Sequence, residues 1–279
     1  MKIQNILVPI DFSDCSNNAL AYSIGLAKEA KAKLSLLHCY TVHVPAAEMT
    51  MDLHPQISYE FEKNAKENYE RLKIKLPDLN KVSHQLLTKM NFITDGISNV
   101  SRELKPELIV MGTKGADNRV DAFFGSNTYN AIKKSKIPVL AVPEEAQFHK
   151  LRSLLFAADF EHIEDIDALG IIKALANMFT AEIQILHIGE GWAELNRMKT
   201  KEAAKVVEYF GQTDHSYYFI KEKLDVEDAI DQHLEHHRNE LLILIARKHH
   251  FPGNLFKKRV TKKTVMRTTL PLLTIPDSR

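Results

Sequence analysis

The chain predicts an α/β fold made of two tandem doubly wound domains, each a parallel sheet with helices on both faces. Two observations carry this. Short continuous apolar runs alternate with amphipathic stretches through the first half, and such runs belong to parallel strands buried on both sides. The same plan then recurs. Ile6-Leu7-Val8-Pro9-Ile10-Asp11-Phe12 reopens as Leu154-Leu155-Phe156-Ala157-Ala158-Asp159-Phe160. Ala19-Leu20 returns as Ala168-Leu169, and Lys33-Leu-Ser-Leu-Leu-His38 as Glu182-Ile-Gln-Ile-Leu-His187. Ile137-Pro-Val-Leu-Ala-Val-Pro143 returns as Leu270-Pro-Leu-Leu-Thr-Ile-Pro276. Four correspondences in one order describe an internal duplication with a period of roughly 130–150 residues, long enough for one domain per copy.

The elements of the first half follow in order. The opening apolar run predicts a strand over 3–10, and the stretch containing Ala19-Leu20 a helix over 15–31. The run ending in Leu37-His38 predicts a strand over 34–40, followed by a helix over 57–75, a strand over 82–88 and a helix over 95–104. Leu108-Ile109-Val110-Met111 marks a buried strand over 107–112. A helix over 126–135 and a final strand over 138–142 complete the copy. The polar segment Pro143–Lys150 reads as a short linker, giving domains over 1–146 and 150–279.

Composition narrows the class. The 279 residues are 44% hydrophobic and 26% charged, with a net charge of +1, so no global field marks the chain for nucleic acid or membrane. Cys15 and Cys39 provide neither a disulfide framework nor a zinc spacing, and read as buried or half-buried thiols in a reducing compartment. The opening apolar run is too short for a signal segment and is broken by Pro9 and Asp11. No run of 18 apolar residues predicts a membrane span. Cytoplasm is the expected location.

One motif carries chemistry. Gly112, Gly115, Gly125 and Ser126 form a Gly-x2-Gly-x9-Gly-Ser pattern between the buried strand and the helix that starts near Asn127. Glycines let the backbone approach an anion, and the first helical turn offers unpaired N–H groups and the positive end of its dipole. Ser126 reads as the helix N-cap, with a hydroxyl that can also donate to phosphate. Lys114 is either a phosphate contact or a solvated loop lysine. No Lys-Ser/Thr follows Gly125, so this is not a Walker loop. The glycines follow the fourth strand rather than the first, so it is no dinucleotide fingerprint either. Asp11 lies at another strand end, on what should be the same rim, where it could also cap the following helix.

Taken together, Pro9-Ile10-Asp11-Phe12-Ser13, Leu37-His38, the glycine pattern and the closing Pro-Val-Leu-Ala-Val-Pro strand resemble the universal stress protein (UspA) family in its tandem form. The resemblance covers nearly the full length and is stronger in the first half. It implies five-stranded parallel sheets of order 3-2-1-4-5 and, from the glycine loop, the family's nucleotide-binding branch, with ATP as ligand, with or without Mg²⁺. By position, Asp11 would face the adenosine and Pro9 would line the adenine pocket. Cys39 would offer backbone groups to the base. Met111 and Gly112 would lie below the ribose and phosphates, and Gly115, Gly125, Ser126 and Asn127 would cradle the phosphates.

The second half departs from this pattern. Ala246 is expected in the place of Gly112, with Lys258 and Arg259 near the places of Gly125 and Ser126, so ATP should not bind there in the same pose. Asp159 is then left to cap a helix. Residues 247–267 carry eight Lys and Arg without Asp or Glu, which reads as a solvated loop and helix face before a surface for nucleic acid, acidic partners or a phosphate. His233, His236 and His237 read as exposed helix residues, since no third metal ligand is evident. No nucleophile–base pair stands out. The expected function is a non-enzymatic ATP-binding stress or signalling module. The alternatives are a slow Mg²⁺-dependent ATP hydrolase and an interaction scaffold that binds no nucleotide. The apolar edge strands Ile137–Val142 and Leu270–Ile275 should pair with each other inside one chain, leaving room for a homodimer as well.

Overall fold

The computed structural model describes residues 1–41, 53–114, 124–157, 166–188, 205–206, 208–220, 226–246 and 270–276. In the first half the strands are β1 (Asn5–Pro9), β2 (Lys33–Tyr40), β3 (His84–Met90), β4 (Leu108–Gly112) and β5 (Val139–Val142). In the second they are β6 (Ser153–Ala157), β7 (Glu182–Ile188), β8 (His215–Ile220), β9 (Leu241–Ala246) and β10 (Leu272–Pro276). The helices are α1 (Asp14–Ala30), α2 (Leu53–Lys75), α3 (Ile93–Leu104), α4 (Ser126–Lys134), α5 (Gly170–Phe179) and α6 (Val226–His236).

Among the described residues ten strands form one sheet in the order β3-β2-β1-β4-β5-β10-β9-β6-β7-β8. Each half has the order 3-2-1-4-5 that the resemblance implies, and pairing within each half is parallel. The halves are not two separate sheets, because β5 and β10 pair antiparallel.

That seam obeys an internal two-fold. Glu107 accepts the backbone N–H groups of Gln4 and Asn5 at 2.9 and 2.7 Å. Glu240 does the same for Arg152 and Ser153 at 3.1 and 2.8 Å. Matching Glu107 to Glu240 makes Leu140 the counterpart of Leu273, and Ala141 that of Thr274. Across the seam Leu273 faces Leu140, Leu272 faces Ala141 and Thr274 faces Val139. Counterparts exchange places about an axis between Leu140 and Leu273, as at an isologous interface. The Thr274 hydroxyl adds a 3.1 Å bond to the Val139 carbonyl.

Alternation along the strands separates two faces. Ile6, Val8, Val110, Leu140, Phe156, Ile243 and Leu273 point to the face covered by α1 and α5, in one cluster that runs through both halves. Leu7, Ile109, Met111, Val139, Leu155 and Leu242 point to the face covered by α3, α4 and α6. Burial on both faces is what the continuous apolar runs require.

The linker is more than a polar spacer. Phe148 packs edge-on against Tyr22 at 5.1 Å and lies 6.1 Å from Phe179, so it joins α1 to α5. Gly25 makes room for it, since a Cβ there would overlap the Phe148 ring. Asn18 Nδ2 donates to the carbonyls of Pro143 and Ala146, both at 2.8 Å, and holds the strap on α1.

Candidate functional site

Parallel pairing brings the C-terminal ends of β1, β2 and β4 to one rim. Pro9 pairs with Leu37 and ends β1, Cys39 lies two residues beyond Leu37, and Met111 and Gly112 end β4. Five of the nine predicted site residues therefore meet there: Pro9, Asp11, Cys39, Met111 and Gly112. Gly125, Ser126 and Asn127 join them through α4. Gly115 lies outside the described residues.

Asp11 leads into a tight turn ahead of α1. Its Oδ1 accepts the N–H and the hydroxyl of Ser13, at 3.0 and 2.5 Å. Ser13, not Asp11, is the N-cap of α1, with its Oγ accepting the Ser16 N–H at 3.3 Å. Asp11 is thus an exposed carboxylate fixed by the residue that caps the helix. Between them Phe12 has φ +63°, a left-handed backbone that a bulky residue seldom adopts. Asn17 Nδ2 holds the Phe12 carbonyl at 3.1 Å, and the Phe12 ring lies 4.9 Å from His38. The His38 Nδ1 in turn meets the Ile10 carbonyl at 3.0 Å. Such strain persists only where several contacts impose it, and the turn at Asp11 has them.

The end of β4 is built by close packing. A Cβ on Gly112 would lie 2.8 Å from Cys15 Sγ and 2.9 Å from the Cys15 carbonyl oxygen. Glycine here lets the first turn of α1 abut the strand. Alternation sends Met111 to the opposite face, where it is buried against the α3 and α4 side chains. The Gly112 carbonyl accepts the Thr128 hydroxyl at 2.6 Å, and the Gly125 N–H donates to the Thr113 carbonyl at 2.7 Å. These two bonds seat the N-terminus of α4 at the end of β4.

The predicted cap at Ser126 is corrected. Gly125 is the N-cap of α4, with φ −63° and ψ 157°, and its carbonyl accepts the Tyr129 N–H at 3.0 Å. Ser126 is already the first helical residue. Because Gly125 has no side chain, no side-chain hydrogen bond closes this helix end. Ser126 and Asn127 are exposed. Cys39 presents its backbone at the rim, while its sulfur lies under α3 where Gly96 leaves room for it. Burial pushes this thiol up to about 11, against the lowering effect of Lys89. Both cysteines are free.

Cys15 was read as a buried thiol, as it is, but its contact with Gly112 was not foreseen, and Thr128, Gly96 and the Phe12 turn were not singled out from the sequence. A glycine inside a helical stretch is a usable signal for Gly96. Nothing local marks Thr128 or the φ of Phe12.

In the second half the register corrects one assignment. Counting from Glu240 as from Glu107, Ile245 stands in the place of Gly112, and Ala246 follows it. Ile245 packs on the α1–α5 face of the core. The expected cap at Asp159, Lys258, Arg259 and the basic stretch 247–267 lie outside the described residues.

Of the three histidines read as exposed, His236 is exposed and His237 half-buried, but the reading of His233 is corrected. His233 is 4% exposed, its Nε2 lies 2.8 Å from Gln184 Oε1, and its ring stacks on His237 at 4.3 Å. Tyr218 meets both rings edge-on, at 4.6 and 4.7 Å. An amphipathic α6 turns His233 inward with Ile230 and Leu234, where Gln184 supplies a polar partner. Among the described residues no group of three or more His, Cys, Asp or Glu side chains could hold a metal ion. Among them, too, no helix is long and apolar enough to cross a membrane.

The universal stress protein family model matches residues 2–143, just over half of the chain. The chain belongs to the universal stress protein family. No curated protein matches it. Among solved structures, a universal stress protein from Archaeoglobus fulgidus DSM 4304 is similar over 99% of this chain and 97% of its own, at 16% identity and a TM-score of 0.64. A protein described as functionally unknown from Pseudomonas aeruginosa PAO1 is similar over 98% and 92%, at 13% identity and a TM-score of 0.60. The cytoplasmic domain of a prokaryotic cation chloride cotransporter is similar over 98% and 95%, at 8% identity and a TM-score of 0.56. At these identities the likeness concerns the fold: a doubled universal stress protein architecture along the whole chain.

Proposed function

We propose that this universal stress protein binds one adenine nucleotide, ATP, on the rim of its first half, and works as a non-catalytic stress or signalling module whose ligand state is read by protein partners. Residues 1–146 form the binding unit, and 150–279 a degenerate unit without the glycine pattern, kept for pairing. The chain acts in the cytoplasm.

The observation that carries this reading is Gly125. It caps α4 without a side chain, and its N–H bond to Thr113 sets that helix end beside the end of β4. The N–H groups of the first turn and the helix dipole then face the space a phosphate would take. The exposed Ser126 and Asn127 add polar side chains at the same place, with Gly115 completing the cradle. Asp11, held by Ser13, suits the ribose hydroxyls as an acceptor. Pro9 and the Cys39 backbone border the base, while Met111 and Gly112 form the floor. The residues fit the nucleotide. Mg²⁺ would ride on phosphate oxygens and water.

The test is Gly125→Asp. Aspartate is a good N-cap at this extended backbone and complements the helix dipole, so α4 gains stability. The same carboxylate stands where a phosphate would bind. The expected outcome is an unchanged or raised unfolding temperature with ATP affinity reduced at least about tenfold, measured by calorimetry. ATP binding as tight as in the parent chain would refute the reading. Mass spectrometry of nucleotide released from the purified protein gives an independent check.

A further inference from the structure

We propose that Cys15 is a positioning residue for this site: its buried side chain joins the first turn of α1 to Gly112–Lys114, the start of the glycine loop, and so fixes that start relative to Asp11. The inference rests on the nucleotide reading of the same rim.

Four contacts converge on the Cys15 sulfur. The Lys114 backbone N–H donates to Sγ at 3.5 Å. The Thr113 hydroxyl and the Val142 carbonyl each lie 3.9 Å from it. Gly112 leaves the gap that Sγ and the Cys15 carbonyl occupy. Cys15 is 4% exposed, so its thiol serves packing and these bonds rather than solvent chemistry. The distances suit sulfur, whose larger radius lets one atom touch Gly112 and still accept from Lys114.

The consequence is mechanical. Asp11 and Ser13 lead directly into α1, and Cys15 lies in its first turn. Gly112–Lys114 lead directly into the glycine loop. One side chain therefore couples the acceptor proposed for the ribose to the loop proposed for the phosphates. The fold itself does not need this joint. The second half keeps the strand order and covers the same sheet face with α5, yet it has Ile245 where the joint requires glycine. The glycine pattern and the place for the joint are lost together, which points to the site rather than to the sheet.

The experiment compares the full chain with Cys15→Ala and Cys15→Ser. It reads amide hydrogen exchange at Lys114 without ligand, ATP affinity by calorimetry, and the unfolding midpoint. Cys15→Ala removes the acceptor and leaves space beside Gly112 and Lys114. Faster exchange at Lys114 and roughly five- to tenfold weaker ATP binding are expected. Cys15→Ser restores an acceptor, so exchange and affinity recover even where the unfolding midpoint does not. Affinity that follows the midpoint in both variants would mean a merely structural role and would overturn the inference. Unchanged exchange at Lys114 in Cys15→Ala would overturn it too. If the parent chain binds no ATP, the proposed function fails by itself, while exchange at Lys114 still decides whether Cys15 holds the loop.

Discussion

His233 is a buried imidazole held by Gln184 and pressed against a second imidazole, His237. Burial lowers its pKa to about 4, the neighbouring His237 pushes the same way, and Glu182 opposes them. The folded chain thus refuses a proton that the unfolded chain takes near its ordinary pKa of about 6.5. His233 contributes stability that is fully present above pH ~6.5 and is lost as pH falls toward 4. The expected loss between pH 7 and pH 4.5 is on the order of 2 kcal/mol by urea unfolding. His233→Gln keeps a donor for Gln184 and should flatten that part of the profile. Parallel pH profiles for parent and variant would contradict the assignment. At this scale the sequence was least legible. Gly112 stood out as a ligand residue, and its close packing against Cys15, distant in the chain, was hidden. His233 read as exposed because helical spacing does not say which face meets Gln184.

Helix ends and the central seam set the behaviour of the elements. Three helices close on non-glycine residues in the left-handed region: Lys31 after α1, Lys105 after α3 and Thr180 after α5, with φ of 54°, 46° and 55°. Lys31 and Thr180 are counterparts, followed by Ala32 and Ala181, whose N–H groups reach back to Ala27 and Ala176. A β-branched residue tolerates this backbone poorly, and Thr180 is exposed. Thr180→Gly should raise stability by about 1 kcal/mol in thermal unfolding; a loss would show that the threonine makes a compensating contact. At the seam, Leu140→Ala and Leu273→Ala remove side chains that face each other across the two-fold. Each should cost about 2–5 kcal/mol by denaturant unfolding, with similar values for the two. Strongly unequal costs would count against the symmetry. Strand and helix positions were legible because buried parallel strands and amphipathic helices impose different apolar periods. The caps were not, because Gly125 and Ser126 are neighbours and only the backbone angles distinguish cap from first helical residue.

Across the molecule, duplication explains both the sheet and its asymmetry. Repeated runs such as Leu7 to Asp11 and Leu155 to Asp159 made the doubled fold readable, and the apolar edge strands foretold their pairing. The strap role of Phe148 was hidden, since a lone aromatic in a polar stretch does not disclose that Gly25 receives it. The two halves share one core cluster on the α1–α5 face, so they act as one body. Their rims differ: Gly112 and a Gly125 helix end without a side-chain cap in one, Ile245 in the other. We propose a single asymmetric ligand site on a symmetric frame. Titration calorimetry of the full chain with ATP tests it most directly. One ATP per chain is expected, lost in Gly125→Asp and retained in a variant of the second rim such as Ile245→Val. Two equivalents of ATP per chain, or no binding at all, would contradict it.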